Sequence, residues 1–174
     1  MRKHDGFTLI ELLIVIAILS IFVTTAVPGF SRLAARENRV ATVLSLAGAL
    51  NYARARAIST GRYVEVCKSA DGAQCSDDPA TWGDGWIVFV NLDEDWRVDA
   101  GERILRAHGP VEEAVELTGN RDAFNFRPAS INSTAGSLFV CAGGQAVGEA
   151  VIVSVTGRVR TSDEKADGSA VECS

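Results

Sequence analysis

An uncharged apolar run near the N-terminus constrains this chain more than any other feature. Leu12 to Ser31 are 20 consecutive residues without a charge, and about 20 residues are what an α-helix needs to cross roughly 30 Å of hydrocarbon. A cleavable secretory signal has a shorter apolar region, roughly 7–15 residues, followed by a small-residue cleavage site. Because Thr24-Thr25-Ala26 imitates such a site, release of a soluble protein by signal cleavage is the alternative. We expect a membrane-spanning helix.

The rest of the chain has the composition of a soluble domain. Residues 31–174 carry 35 of the 39 charged residues, since only four lie before residue 31. An apolar content of 47% excludes a disordered chain. The net charge of −5 argues against a protein that binds nucleic acid over its whole surface. Only a local basic patch could bind nucleic acid here.

Glu11 is an acidic residue at the edge of the apolar run. A carboxylate inside an apolar helix costs a few kcal/mol unless it is paired. Two interpretations remain open at this point. Either Glu11 lies close enough to the lipid head groups to reach water, or it has a dedicated cationic partner.

The segment Gly6-Phe7-Thr-Leu-Ile-Glu11, after a short basic leader, resembles the class III signal of type IV prepilins and type II secretion pseudopilins. The resemblance implies that an inner-membrane prepilin peptidase cleaves between Gly6 and Phe7 and that Phe7 is then N-methylated. It also implies that Glu11 pairs with the terminal amine of a neighbouring subunit, an ammonium that supplies the counter-charge a buried carboxylate needs. Pro28 matches a family proline that kinks or locally melts this helix.

The helical pattern continues beyond the apolar run. Gly48 is the one helix breaker between Ser31 and Thr60, and Gly61 predicts the C-terminal end of the helix. Apolar residues recur at spacings of three and four, namely Leu33, Val40, Val43, Leu44, Ala47, Leu50, Ala57 and Ile58. We therefore expect an amphipathic helix that packs this single stripe on a sheet.

After Gly61 the pattern becomes strand-like. Tyr63–Cys67 alternates and Trp86–Asn91 is an apolar run. Five more short segments follow, separated by turn residues: Arg103–Ala107, Ala114–Leu117, Phe124–Arg127, Leu138–Cys141 and Ala150–Val155. The pattern predicts an α+β fold. A long N-terminal helix, transmembrane in its first half and amphipathic in its second, would pack on a mainly antiparallel β-sheet or sandwich.

The order of these segments resembles the GspH/FimT family of minor pilins and pseudopilins. Ala53–Ile58 leads to Val64–Cys67, Gly85–Phe89 precedes an acidic turn, and Val153–Arg160 ends the match. The resemblance implies a type IV pilin-like fold. It divides the chain into a prepilin leader (1–6), a transmembrane assembly helix (7–30), an amphipathic helix (31–61) and a β-rich GspH/FimT-like domain (62–174).

The resemblance also implies a location and partners. The protein would be held in the inner membrane by a single span, with its C-terminal domain in the periplasm. It would then join a type IV pilus or a type II secretion pseudopilus, initiating or capping the filament, and so support pilus biogenesis or protein secretion. The implied partners are the prepilin peptidase, other minor and major pilins or pseudopilins, and the inner-membrane assembly platform. No cofactor is implied.

The four cysteines are enough for two disulfide bonds, and sequence alone leaves three connectivities open. We favour Cys67–Cys75 and Cys141–Cys173, because each joins a strand to a nearby loop or tail. The C-x7-C spacing fits no common zinc pattern, so we expect no metal at these residues.

Asp93, Asp95 and Asp99 suggest a calcium loop. An EF-hand-like loop also needs an oxygen ligand at its fifth position, Gly at its sixth and Glu at its twelfth. Those positions here hold Arg97, Val98 and Ile104. We therefore expect an acidic, solvated turn rather than a calcium site.

Catalytic residues are not predicted. Leader cleavage would remove His4 and leave His108 beside a Gly-Pro turn, without a nearby nucleophile motif. The metalloprotease, nucleophile-elbow and phosphate-loop motifs are missing from the sequence. We expect a protein that works through contacts between subunits.

Gly157-Arg158-Val159-Arg160 is the candidate basic patch. In a strand, Arg158 and Arg160 would project from one face about 6.6 Å apart, with Val159 turned inward. Paired guanidinium groups suit bidentate phosphate contacts, and the sequence resembles the G-R-x-R motif of FimT-type pilins that bind DNA during natural transformation. DNA uptake is therefore the alternative function. Two solvated or subunit-contacting arginines are the simpler interpretation, because acidic residues follow at 163, 164 and 167.

Overall fold

The structure is a computed structural model that describes residues 8–77, 81–129 and 132–173, without the side chains of residues 23–29 and 32. The chain divides into two compact units, Met1–Ala34 and Ala35–Ser174. One helix, α1 (Leu9–Thr60), contributes to both units. It begins after Thr8, whose Oγ1 accepts the backbone N–H of Glu11 (3.3 Å) and so caps the helix.

The C-terminal end of α1 lies where the sequence predicts it. Gly61 adopts a left-handed φ of 65° and donates its backbone N–H to the carbonyl oxygen of Ala57 (3.0 Å). Glycine adopts this conformation without the steric cost that a Cβ atom brings. The helix therefore ends at Thr60.

In the second unit, α1 buries one face and exposes another apolar one. The buried face includes Val43, Leu46, Leu50, Ala53 and Ala57. Of the predicted single stripe, Val40, Leu44 and Ile58, together with Leu33 of the first unit, are instead exposed, so that part of the prediction is wrong. With 3.6 residues per turn, adjacent residues point about 100° apart. Leu44 therefore cannot share the face of Val43. The spacings of three and four in the sequence combined residues of a buried face and of an exposed face into one predicted stripe.

Eight strands form the rest of the second unit. They are β1 (Tyr63–Lys68), β2 (Trp86–Asn91), β3 (Ile104–His108), β4 (Val115–Gly119), β5 (Ala123–Phe126), β6 (Gly136–Ala142), β7 (Glu149–Val153) and β8 (Val159–Ser162). The first sheet has the order β3-β2-β1-β5, and the second has the order β4-β6-β7-β8. Each of these strand pairs is antiparallel. The predicted α+β architecture is confirmed.

The main core lies between the buried face of α1 and the inner faces of the two sheets. The first sheet contributes Val64, Val66 and Val88, and the second contributes Leu138 and Val151 among others. Trp82 and Trp86 are buried in the same core. The indole N–H of Trp82 donates to the carbonyl oxygen of Arg121 (2.7 Å), and Trp86 stacks on His108 with ring centroids 3.9 Å apart. These residues anchor the core and its loops.

A second, smaller cluster covers the outer face of the first sheet. Cys67, Ile87, Phe89 and Ala123 are buried there. The side chains of Val98, from the segment after β2, and Cys75, from the segment after β1, pack against them. Side chains on β1 that point away from α1 therefore enter this cluster rather than solvent.

Candidate functional site

Between Leu9 and Phe22, α1 exposes apolar side chains on all sides. From Leu9 to Phe22 its large apolar side chains are about half exposed or more, and Glu11 is exposed among them. A helix that is apolar all round needs a covering of lipid or protein. Glu11 is the acidic residue of its first turn. The unit is therefore built for an apolar environment that the isolated chain does not supply.

The residues predicted to be cleaved and methylated precede the part of the chain that the structure describes. Gly6 and Phe7 fall outside the described residues, so cleavage and methylation stay predictions. Pro28 lies within the span assigned to α1, but its side chain is outside the described set, and the predicted kink stays a prediction. Within the described residues, which leave out the side chains of 23–29, no helix is long and apolar enough to span a membrane.

Two disulfide bonds fasten the loops and tail of the second unit. Cys67 on β1 is bonded to Cys75, with Cα atoms 5.6 Å apart, and Cys141 on β6 is bonded to Cys173, with Cα atoms 5.7 Å apart. Both distances are ordinary for disulfides. The backbone N–H of Cys173 also donates to the carbonyl oxygen of Ala146 (3.2 Å). The C-terminal tail is thus held against the connection between β6 and β7.

Arg158 and Arg160 lie at the outer edge of the second sheet. β8 is the edge strand there, and both arginines are exposed while Val159 is half-buried against the main core. The sequence predicts this alternation. Asp163 and Glu164 are also exposed just beyond β8, so the arginines share their end of the sheet with negative charge.

The acidic turn after β2 is exposed. The side chains of Asp93, Asp95 and Asp99 have carboxylate oxygens within 4.8 Å of one another. Asp95 Oδ1 accepts the backbone N–H of Arg97 (2.9 Å), and Asp93 Oδ1 accepts that of Asp95 (3.4 Å). Two of the three carboxylates therefore brace the backbone of the turn itself.

The site that the sequence analysis missed is Glu65. Glu65 lies on β1 and is fully buried. Its register partners are Phe89 on β2 and Asn125 on β5. Glu65 Oε2 accepts a hydrogen bond from Asn91 Nδ2 (3.0 Å), whereas Glu65 Oε1 has no hydrogen-bond partner among the described residues. Alternation along β1 predicts a solvent-facing glutamate, because the cluster over this face comes from residues distant in sequence.

Burial raises the pKa of Glu65 to about 7. The hydrogen bond from Asn91 and the amide side chain of Asn125 lower the pKa, whereas the negative charges of Glu102 and Asp95 raise it further. Burial disfavours the charged form of a carboxyl group, and here it outweighs the two amide side chains. Glu65 therefore titrates near neutral pH.

Comparison with known proteins places this chain in a family. Residues 42–157 match the family described as type II transport protein GspH, and residues 1–27 match the prokaryotic N-terminal methylation motif. Two proteins of Dichelobacter nodosus, each described as a probable minor fimbrial protein, are 31% and 30% identical over 131 and 132 residues. Each alignment covers 75% of this chain and 77% of the relative.

Solved structures share the fold. The type IV minor pilin FimU of Pseudomonas aeruginosa aligns with a TM-score of 0.57 at 19% identity, over 73% of this chain and 90% of FimU. The minor pseudopilin EpsH of the Vibrio cholerae type 2 secretion system aligns with a TM-score of 0.52 at 12% identity, over 72% of this chain and 96% of EpsH. Both matches support the pilin-like arrangement of one helix on antiparallel sheets.

A GspH match together with an N-terminal methylation motif implies processing by a prepilin peptidase and assembly with other pilins, which are structural proteins. The two matched regions, residues 1–27 and 42–157, together cover most of the chain. The chain therefore belongs to the GspH family of minor pilins and pseudopilins.

Proposed function

We propose that the protein is a filament subunit anchored in the inner membrane before it is assembled. A prepilin peptidase cleaves between Gly6 and Phe7, and Phe7 is N-methylated. Residues 7–30 cross the membrane once, and the domain of residues 62–174 lies in the periplasm. The subunit then joins the tip region of a type IV pilus or a type II secretion pseudopilus through an inner-membrane assembly platform.

One observation carries this proposal: an acidic side chain, Glu11, lies exposed among the apolar side chains of Leu9–Phe22, within the segment that matches the methylation motif. In the assembled filament, the amine of a neighbouring subunit's Phe7 neutralises this carboxylate. A charge in an apolar environment is tolerated when it is paired and hydrogen-bonded. The pairing therefore makes assembly dependent on prior cleavage, because cleavage creates the amine.

The exposed face of α1 supports the same proposal. Val40, Leu44 and Ile58 are exposed on the helix of the second unit, next to a face that the sheets already cover. Apolar side chains at this spacing form a seam that a neighbouring helix can cover. We propose that other pilins or pseudopilins contact this seam in the filament.

Replacement of Glu11 tests the pairing. We expect Glu11→Ala to retain membrane insertion and leader cleavage but to be depleted from sheared filaments, as measured by immunodetection in membrane and filament fractions. Glu116→Ala is the matched control, because Glu116 is an exposed carboxylate on β4 and should leave both fractions unchanged. Normal incorporation of Glu11→Ala would refute the pairing.

A second candidate function is DNA binding during DNA uptake. It is favoured by one observation, the exposure of Arg158 and Arg160 on either side of the inward-facing Val159. Two phosphate contacts predict a log–log salt slope of about −1.8 for duplex DNA and loss of binding by the double alanine variant. The full chain in detergent micelles would be titrated with DNA. Absence of DNA binding at low salt would exclude this function.

A further inference from the structure

The loop between β2 and β3, residues 92–103, is fastened to the first sheet through side chains around Glu65. Asn91 donates to Glu65 Oε2 and, through its own Oδ1, accepts the backbone N–H of Glu94 (2.6 Å). Glu102 accepts the backbone N–H groups of Leu92 and, at 3.1 Å, Asp99. One backbone N–H of the loop, that of Glu94, is therefore bonded to the amide side chain that touches the buried carboxyl group. The Glu102 bonds lie within the loop, and Gln74 bonds the backbone of Val98 separately (2.9 and 3.3 Å).

The groups that act on Glu65 include two carboxylates. Asn91 from β2 and Asn125 from β5 are uncharged, whereas Asp95 and Glu102 from the loop add negative charge. Two cations of this sheet pair with other carboxylates: Lys68 with Asp122 (2.9 Å) and Arg127, just after β5, with Glu94 (3.5 Å). An ionised Glu65 would therefore lie buried beside like charges.

Two buried acceptor atoms have no hydrogen-bond partner among the described residues: Glu65 Oε1 and Asn125 Oδ1. Their residues face each other in the register of β1 and β5. A carboxylate can only accept hydrogen bonds, whereas a carboxylic acid also supplies one donor. Protonation of Glu65 thus removes a buried negative charge. It also supplies a hydrogen-bond donor next to these two acceptor atoms, which otherwise have none.

We propose that Glu65 is a proton-controlled latch: in its protonated form it holds the loop of residues 92–103 on the first sheet, and on ionisation it releases the loop. The loop exposes Leu92 and Trp96 beside its acidic side chains, so release changes an apolar and acidic surface of the domain. This inference does not depend on the proposed function, because every group that carries it lies within the second unit.

The direction of the effect follows from the two protonation equilibria. In an open loop, Glu65 reaches water and titrates near its ordinary pKa of 4.5, whereas in the closed loop its pKa is about 7. Between these values the open state binds fewer protons, so the equilibrium constant for opening rises by at most about tenfold per pH unit. Above about pH 7 both states lose the proton, so the equilibrium constant for opening rises no further.

Hydrogen exchange of the full chain in detergent micelles tests this latch. After correction for intrinsic exchange rates, the backbone amides of Leu92, Glu94 and Asp99 should lose up to about 70-fold of their protection between about pH 5 and about pH 8. Amides within β6 serve as the internal reference and should change far less. Equal protection of the loop at both pH values would overturn the proposal.

Two further measurements separate the latch from a general pH effect. Glu65→Gln keeps the shape and the acceptor of the side chain but cannot ionise, so its loop should stay protected at both pH values. Glu116→Gln, an exposed control, should behave like the unmodified chain. The same loss of protection in Glu65→Gln would refute the proposal. If that variant fails to fold, the carboxyl-carbon NMR titration of Glu65 decides, and a midpoint near 4.5 would refute the latch.

Discussion

Glu65 couples the stability of the folded domain to pH through one buried carboxyl group. Its pKa is about 7 in the fold, compared with an ordinary value of 4.5 in the unfolded chain. Below pH 4.5 both states hold the proton, so this group causes no change of the unfolding free energy with pH. As pH rises from 4.5 to about 7, the unfolded state loses its proton first. The free energy of unfolding therefore falls across that window.

We expect Glu65→Gln to remove this dependence. Relative to the variant, the unmodified chain should lose about 1.4 kcal/mol of unfolding free energy per pH unit within the window, or about 3 kcal/mol in total. Urea denaturation of both proteins at about pH 4.5 and about pH 8 measures the difference, with Glu116→Gln as the control. If the unfolding free energies of the unmodified chain and Glu65→Gln differ by the same amount at both pH values, Glu65 does not cause the pH dependence.

Two glycines should respond in opposite directions to alanine. Gly85 has a φ of 124°, and an added Cβ would lie 2.9 Å from the carbonyl oxygen of Ser69 and against that of His108. Gly48 lies within α1, where an added Cβ would meet nothing within 4 Å. In thermal unfolding, Gly85→Ala should destabilise the fold by at least about 1–3 kcal/mol. Gly48→Ala should stabilise it by about 0.5–1 kcal/mol, and the reverse order would contradict the structure.

At the scale of elements, α1 could be predicted in extent but not in its contacts. The sequence predicts its C-terminal end at Thr60 because Gly61 is a local signal. It does not separate Val43 from Leu44, since both fit a spacing of three and four. Which of the two is buried depends on how the sheets approach the helix, and those strands are distant in sequence.

The two faces of α1 predict different outcomes for the same substitution. Leu44 is 66% exposed and Leu46 is fully buried. Leu44→Lys should change the free energy of unfolding by no more than about 0.5 kcal/mol yet lower incorporation into filaments. Leu46→Lys should destabilise the domain by more than about 4 kcal/mol, because it buries an unpaired charge. Thermal unfolding and filament fractionation measure both effects, and normal filament incorporation of Leu44→Lys would exclude the exposed face as a contact.

The strands show the same limit. Trp86–Asn91 is predicted with its observed bounds because it is an apolar run between turn residues. The pairing Cys67–Cys75 and Cys141–Cys173, favoured on proximity to strands, is also the pairing in the structure. The burial of Glu65 could not be predicted, since alternation within one strand carries no information about a loop that covers its outer face.

At the scale of the whole molecule, the two units differ in whether they bury their own apolar side chains. The second unit is a domain with its own core and two disulfide bonds. The first is a helix whose apolar side chains are exposed in the isolated chain. Exposed apolar side chains of this kind can be buried by lipid or by another protein. The methylation motif matches residues 1–27, and in the proposed function its cleavage would supply the charge that pairs with Glu11.

The identity of the mature N-terminal residue tests this account most directly. Mass spectrometry of the N-terminal peptide, from protein isolated from its native host, would identify that residue and any modification of it. We predict N-methylated Phe7. A chain that keeps residues 1–6, or one that begins at Val27, would have no amine at Phe7 to pair with a neighbouring Glu11 and would contradict the account.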